Sequence, residues 1–371
     1  MKIIDVKVRR LRVLETIGEI VPAWPGSKMT FRRGGGSFVE IATDSGLVGI
    51  GPGADPPAVA AAKQILVGEN PFEVERHAEK LAHYARGRGY GGAAGFDIAL
   101  WDLIGKACDQ SLLSIFGGGD GQVTPYASLM KLSQPAERAD VALRLKEEGW
   151  RAIKLRIHHD TIAEDIETVR RVRDAVGDDT TIMVDANQAQ SASNWQPGIR
   201  WDFARALQTA RELEALGVYW LEEPLPRYAF DQIARLSDAV SIPIAGGENN
   251  VGLHEFTRML NESVYDVLQP ESMVLNGITT LKKIGTLAEA FGKQCVPHHG
   301  GGDIGVIAHL HLVASWSHAP FMELLHDPPI GDYRHRFAMF ENAPEVVDGV
   351  MQVPDGPGLG ISIDPDLIEP D

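Results

Sequence analysis

Long apolar runs are missing from this sequence, and a bilayer-spanning helix needs about 20 consecutive apolar residues, so no α-helical membrane span is expected. Cysteine is nearly missing too. Cys108 and Cys295 are the only 2 in 371 residues, and they lie far apart in sequence. That argues against a disulfide framework and suits a reducing cytoplasm. Both are expected to be ordinary buried thiols. Cations are short: Lys and Arg total 35 against 51 for Asp and Glu, a formal net charge of −16. Such a field disfavours nucleic acid and anionic membranes as partners, while a few local cations still permit an anionic small molecule. Tandem repeats, low-complexity tracts and Ser/Gly linkers are absent as well. The opening stretch MKIIDVKVRRLRVLE alternates apolar and polar residues as a strand does, and is not expected to act as a secretory signal.

What is present suits two domains, or one barrel with additions. Up to about Asp44 the pattern predicts strands over Ile3–Val13 and Ser37–Thr43, separated by a loop, Ile17–Gly36, rich in glycine, proline and cations. Gly46 signals a hairpin into a strand at Leu47–Ile50. Residues 57–117 read as helices, one of them buried through Phe96, Ile98, Leu100, Trp101, Leu103 and Ile104. From about residue 122 short apolar runs that end in polar residues recur: AIKLR, TIMVDAN, VYWLEE, IPIAGGE, YDVLQPE, QCVPHH and PFMEL. Helical patterns separate them. Thr161 and Glu164 have capping-box spacing, followed by the stripe Ile162, Ile166, Val169, Val172 and Val176. A second stripe runs Ile278, Leu281, Ile284, Leu287 and Phe291. Strands alternating with helices imply a parallel sheet, and about eight such units imply closure into a barrel. The expected division is residues 1–120 as a first domain, 121–345 as the barrel, and 346–371 returning to the first domain.

Residues at the carboxyl ends of barrel strands converge on one mouth, where such barrels place their active sites. Here they are Lys154 and Arg156, Asp185 and Asn187, Glu222 and Glu223, Glu248, Glu271, His298 and Glu323. Taken one per strand they lie about 30 residues apart, the length of one unit when ~250 residues make eight. Asp185, Glu222 and Glu248 stand on three consecutive strands. Three carboxylates facing one small volume repel one another, and a hard divalent ion relieves that; Mg²⁺ favours such all-oxygen sites. His298 and Glu271 end adjacent strands, and a carboxylate behind an imidazole fixes its tautomer and makes it a general base. His299 is open to the same role. His158 and His159 read as a solvated loop, with substrate binding as the alternative. Lys154 and Arg156 alternate by two and face the barrel interior; a guanidinium cannot act as a base.

The ordered set AIKLR, VDANQ, WLEEP, IAGGE, VLQPE, VPHH and FMEL resembles the mandelate racemase subgroup of the enolase superfamily, as do GFDIALWDLIGK and the tail VPDGPGLGI. The resemblance implies a modified (β/α)₇β barrel under an α+β capping domain completed by the C-terminal tail. It implies one Mg²⁺ per subunit on Asp185, Glu222 and Glu248, a base dyad of His298 and Glu271, Lys154 beside the metal, and Glu323 hydrogen-bonding a substrate oxygen. Arg156 and Asn187 are expected to bind substrate. Specificity is expected from a capping loop around Trp24, Lys28, Arg32 and Arg33 and from a second near Asp55. The family also implies a homo-oligomer, octamer or dimer, and the cytoplasm is the expected compartment.

Two departures from the family pattern stand out. The dyad acid is usually aspartate and here is Glu271. The usual Lys-x-Lys is Lys154-x-Arg156, which removes the second base that racemisation needs. The expected reaction is therefore β-elimination of water from an acid sugar, an aldonate or aldarate, giving a 2-keto-3-deoxy acid. A racemase, epimerase or lactone cycloisomerase using the same enolate is the alternative, with Tyr90 or Lys154 as a second base. A barrel that binds ligand without turnover is the remote one.

Overall fold

The computed structural model describes residues 1–24, 28–85, 92–191 and 198–370. Tyr90 lies outside them. The first elements are β1 (Ile3–Arg10), β2 (Val13–Ile20), β3 (Met29–Gly34), β4 (Ser37–Thr43) and β5 (Val48–Pro52), then α1 (Pro56–Leu66), α2 (Val74–Ala85), α3 (Ala94–Cys108) and α4 (Leu112–Phe116). Strands β1, β4 and β5 form an antiparallel sheet. Helix α3 lies across it, and only glycine permits the approach: a Cβ on Gly51 would meet the Gly95 carbonyl oxygen at 2.0 Å. The first strand stops at Arg10, and the stretch expected as a loop contains a separate hairpin, β2 with β3. Few apolar residues mark it, because most of its side chains are exposed and only Ile20 and Phe31 are buried.

After β6 (Gln122–Val123) come the eight barrel strands: β7 (Pro125–Ser128), β8 (Ala152–Arg156), β9 (Thr181–Asp185), β10 (Leu221–Glu222), β11 (Ile244–Gly246), β12 (Val267–Leu268), β13 (Gln294–Cys295) and β14 (Met322–Leu325). Seven helices connect them: α5 (Pro135–Glu147), α6 (Ile162–Val176), α7 (Phe203–Ala215), α8 (Phe230–Ala239), α9 (Gly252–Asn261), α10 (Ile278–Ala290) and α11 (Ile304–Ala314). This is the expected (β/α)₇β order. Pairing is parallel from β7 round to β13, with β14 on the other side of β7. One backbone bond, Cys295 N–H to His318 O at 3.1 Å, bridges the remaining gap. Every residue of β8 is buried, as a strand covered by helices outside and side chains inside must be.

Local signals explain the helices. Thr161 and Glu164 do form the capping box of α6, and Ile166, Val169, Val172 and Val176 are buried. On α10 the stripe holds as far as Leu287, but Phe291 caps the helix and is exposed. Cys295 is buried, whereas Cys108, at the emerging end of α3, is exposed. None of the described helices is long and apolar enough to cross a membrane.

The barrel interior is layered. Tyr126, Ala152, Met183, Trp220, Ala245, Val267 and Val296 pack into one fully enclosed cluster. Two residues further along each strand, on the same face, come Ser128, Lys154, Asp185, Glu222, Gly247, Gln269 and His298. An apolar floor thus carries a polar storey directly above it.

Buried polar groups fasten the outer parts to the barrel. Asp97 of α3 accepts from Thr279 N–H (3.0 Å) and Oγ1 (2.6 Å) at the start of α10. Asp102 accepts from Ile50 N–H and Leu359 N–H, both at 2.9 Å. After α12 (Tyr333–Phe337), β15 (Val346–Val347) and β16 (Val350–Gln352) the chain runs back along β1, with Arg12 N–H on Leu367 O and Glu369 N–H on Arg10 O. His311 of α11 is a further tie: Nδ1 accepts Leu113 N–H at 3.0 Å, and Nε2 donates to Leu359 O at 3.1 Å.

That geometry requires a neutral ring, and burial lowers the His311 pKa to about 4, outweighing the bond to Leu359. An unfolded histidine titrates near 6.5. Between those values the unfolded chain holds a proton that the folded chain refuses, so stability falls as pH drops from about 6.5 to 4, by up to about 3 kcal/mol. Denaturant titrations across this range should show the loss, and His311→Gln, which keeps a donor and an acceptor without titrating, should flatten it.

Candidate active site

The polar storey forms the base of a cavity of about 360 Å³ lined by Trp24, Met29, Arg156, Asn187, Gln190, Glu248, Asn249, His298, His299, Gly301, Leu325 and Arg336. Beneath it, Lys154 Nζ is fully buried and lies 2.7 Å from Glu222, 2.9 Å from Glu323 and 3.8 Å from Asp185. Arg156 pairs with Asp185, donates to Leu129 O (2.9 Å) and Ser128 Oγ (3.1 Å), and stacks on the Trp24 ring. Glu222 also accepts from Trp220 Nε1 and Gln269 Nε2. Neither oxygen of Glu323 accepts a well-aligned hydrogen bond among the described residues. Asn187 sits in the left-handed region (φ 49°), which asparagine tolerates, and turns its amide to Asp185.

His298 Nδ1 lies 2.8 Å from Glu271 Oε2, which also accepts Gly300 N–H; the other Glu271 oxygen accepts Met273 N–H. The imidazole that pairs with Glu271 is thus His298, and the longer glutamate reaches it. His299 lines the cavity beside it, but its Nδ1 has no hydrogen-bond partner among the described residues, and burial together with His298 lowers its pKa to about 3. His298 Nε2 lies 3.1 Å from Glu248 and 4.0 Å from Glu323. Burial opposes the charge on this ring, yet Glu248, Glu323 and Glu271 raise its pKa to about 10. Burial likewise pushes Glu271 up, but the bond from His298 outweighs it and holds the acid down at about 2.

Asp185, Glu222 and Glu248 do not bring their oxygens to one point in this arrangement; each meets a side-chain cation instead. Charge still decides what the site wants. Asp185, Glu222, Glu223, Glu271 and Glu323 are buried and Glu248 nearly so, against Lys154, Arg156 and His298. Burial raises Glu222 to about 7 despite Lys154, and raises Glu223 well above the usual range with Glu248 and Asp185 adding to the push. Negative charge is in excess and all of it sits on oxygen, so the donor set fits a hard divalent cation. Glu271, His298 and His299 also approach one another within 4.8 Å, but Glu271 and His298 already spend those atoms on each other.

Other expected residues lie elsewhere. Trp24 reaches the cavity. Arg32 and Arg33 are exposed on β3 and do not line it: alternation turns Arg32 to the face opposite Met29 and Phe31, and Arg33, two beyond Phe31, lies at the exposed end of the strand. Lys28 pairs with Glu19 at the surface, and Asp55 caps α1. His158 and His159 do not form a solvated loop: His158 is buried, and His159 Nδ1 is 2.9 Å from Asp165. Reasoning from sequence missed Gln190, Asn249 and Arg336 at the cavity, and also a buried chain in which His309 Nε2 meets Ser272 Oγ (2.7 Å), which donates to Glu271.

The profile of the enolase C-terminal domain-like family matches residues 137–367, and that of the mandelate racemase/muconate lactonizing enzyme N-terminal domain matches 26–117. This chain belongs to the enolase superfamily, in its mandelate racemase/muconate lactonizing enzyme branch. It is 31% identical to an arabinonate dehydratase of Saccharolobus solfataricus, with 87% of each chain covered. It is 30% identical to a D-galactarolactone cycloisomerase of Agrobacterium fabrum, with 92% of each covered. The crystal structure of D-glucarate dehydratase from Agrobacterium tumefaciens, complexed with magnesium, superposes with a TM-score of 0.83 at 29% identity, covering 98% of this chain and 97% of that one.

Family membership sharpens one expectation about this chain. Lys154→Met would leave Glu222 and Glu323 buried without their shared cation, which typically costs about 3–5 kcal/mol. Melting of the chelated variant should show that loss, and added Mg²⁺ should recover part of it.

Proposed function

We propose that this enzyme takes the proton from the carbon beside the carboxylate of an acid sugar, an aldonate or aldarate, and expels the neighbouring hydroxyl as water, leaving a 2-keto-3-deoxy acid. The observation that carries this reading is the single imidazole base: His298, its Nδ1 held by Glu271, presents Nε2 to a cavity floored by Lys154 and the carboxylates. The acid-sugar dehydratases among its relatives support it. Mg²⁺ is the proposed cofactor, one ion per subunit, held by Asp185, Glu222 and Glu248 with Glu223 alongside. When bound, the ion supplies positive charge where the carboxylate gains negative charge, an effect among the largest in such sites.

The chain's own groups do the rest. Lys154 faces the same oxygens from below and holds Glu222 and Glu323 in place. With Glu248 given over to the ion, the negative charge that keeps the ring protonated would be drawn off, and the neutral His298 Nε2 would accept the α-proton. The C–H electrons form the new double bond, and the β C–O bond breaks as the imidazolium returns the proton to the departing oxygen. The enol then tautomerises to the keto acid. Glu323, with one oxygen on Lys154 and the other 4.0 Å from His298 Nε2, is suited to bind a substrate oxygen, while Arg156 and Asn187 at the cavity wall orient the acid. Two free cysteines accord with a cytoplasmic enzyme, and a homo-oligomer is the proposed assembly.

A lactone cycloisomerase is the second reading, supported by the relative from Agrobacterium fabrum. Racemisation fits less well, because Arg156 stands where a second base would be and Lys154 is engaged by two carboxylates.

Acid sugars incubated with enzyme and Mg²⁺ should yield keto acid, and chelation should abolish it. Exchange of solvent deuterium at the α-carbon without loss of water would favour isomerisation instead. His298→Asn should lower kcat by about 10³-fold while Mg²⁺ affinity, read by calorimetry, stays within a few-fold. A near-normal rate would remove His298 from the base role.

A further inference from the structure

The proposed chemistry occupies the floor of the cavity and leaves one wall without a task. Arg336, on α12, stands there with Gly301, Met29 and Leu325. Its guanidinium donates once, from Nη1 to Gly301 O at 3.2 Å, and lies 5.6 Å from the centre of the Phe31 ring. Asp303 is the acid that acts on it, yet forms no ion pair with it within 4.0 Å. Most of its five N–H donors therefore have no protein partner among the described residues. Arg156, the other cavity guanidinium, differs: Asp185, Leu129 O, Ser128 Oγ and Trp24 already engage it.

The seat of Arg336 is built. A Cβ on Gly302 would fall 1.8 Å from Nη1, and the backbone there is left-handed (φ +96°), so a bare glycine makes room for the cation. Burial depresses the guanidinium's pKa. A desolvated cation whose acid, Asp303, stays beyond ion-pair distance is only partly compensated, and an anionic ligand offsets the remaining cost. A guanidinium fork matches a carboxylate in particular.

We infer that Arg336 binds a second carboxylate of the substrate, at the end remote from the carbon that loses its proton, and so selects diacids over monoacids. Within the acid-sugar reading, on which this rests, the substrates are aldarates. The Mg²⁺ end of the cavity takes the reacting carboxylate, and Arg336 takes the other.

Equilibrium binding tests this apart from turnover. The His298→Asn enzyme in Mg²⁺ is titrated with glucarate and galactarate and with their monoacid counterparts, gluconate and galactonate. At least one diacid should bind about 30-fold tighter than its partner, the scale of one charge-assisted contact. Adding Arg336→Met should erase that advantage by weakening the diacid selectively, and Arg336→Lys should keep part of it. An unchanged melting temperature would show that the variants fold. The inference is overturned if monoacids bind as tightly as their diacids, if Arg336→Met weakens both alike, or if neither diacid binds. Diacid binding through Arg336 without keto-acid formation by the parent enzyme would sink dehydration and leave this inference standing. Keto acid made from monoacids, indifferent to Arg336→Met, would do the reverse.

Discussion

Crowded carboxylates at the barrel mouth are the constraint to which the rest of the site responds. Asp185, Glu222, Glu271 and Glu323 are fully or almost fully buried, on strands that parallel pairing holds a few ångströms apart. Bare, such a group would be strongly unfavourable. The protein answers with a lysine and a histidine, each shared between acids, and with an arginine on Asp185. Lys154 joins β8 to β9, β10 and β14, and His298 joins Glu248, Glu271 and Glu323. The compensation is incomplete, and the remaining negative charge, all on oxygen, suits the site to a hard cation.

Much of this was legible because strand periodicity is rigid. Once the barrel alternation is recognised, side chains two apart share a face, so Lys154 must stand above Ala152, and Glu222 above Trp220. The fold class, the barrel order, the α6 cap and the His298–Glu271 pairing follow from patterns of that kind. Each depends on neighbours in sequence or on one strand-to-strand step.

What escaped depends on distance or on subtle local choice. The β2–β3 hairpin carries few apolar residues, so composition concealed it, and Arg32 and Arg33 were assigned to the cavity although Arg32 faces away from Met29 and Phe31 and Arg33 lies at the exposed end of the strand. Arg336 arrives from a short helix beyond the last strand, with no motif to mark it, and Gly302, which leaves space for it, is far from it in sequence. The His309–Ser272 chain behind Glu271 is a contact between α11 and the end of β12, which no spacing rule connects. Glu223 looked like the spare member of a pair, yet its left-handed backbone (φ 45°) aims it at the same crowd. Non-glycine residues adopt that conformation at some cost and cluster at functional sites.

The capping loop is more than a cover for the cavity. Trp24, the one aromatic that loop contributes to the lining, stacks on Arg156, and Arg156 pairs with Asp185, which Lys154 shares with Glu222 and Glu323. Cap and catalytic floor are thus linked through an unbroken series of charged contacts. Whatever draws charge from Asp185 also loosens the grip on Arg156, and through it the seat of Trp24. Trp24 at the cap and the charge at the floor are coupled by that one guanidinium. This gives a physical reason for an arginine in place of the family's second lysine: its planar face stacks on the indole while its edge pairs with the acid, which an ammonium cannot do at once.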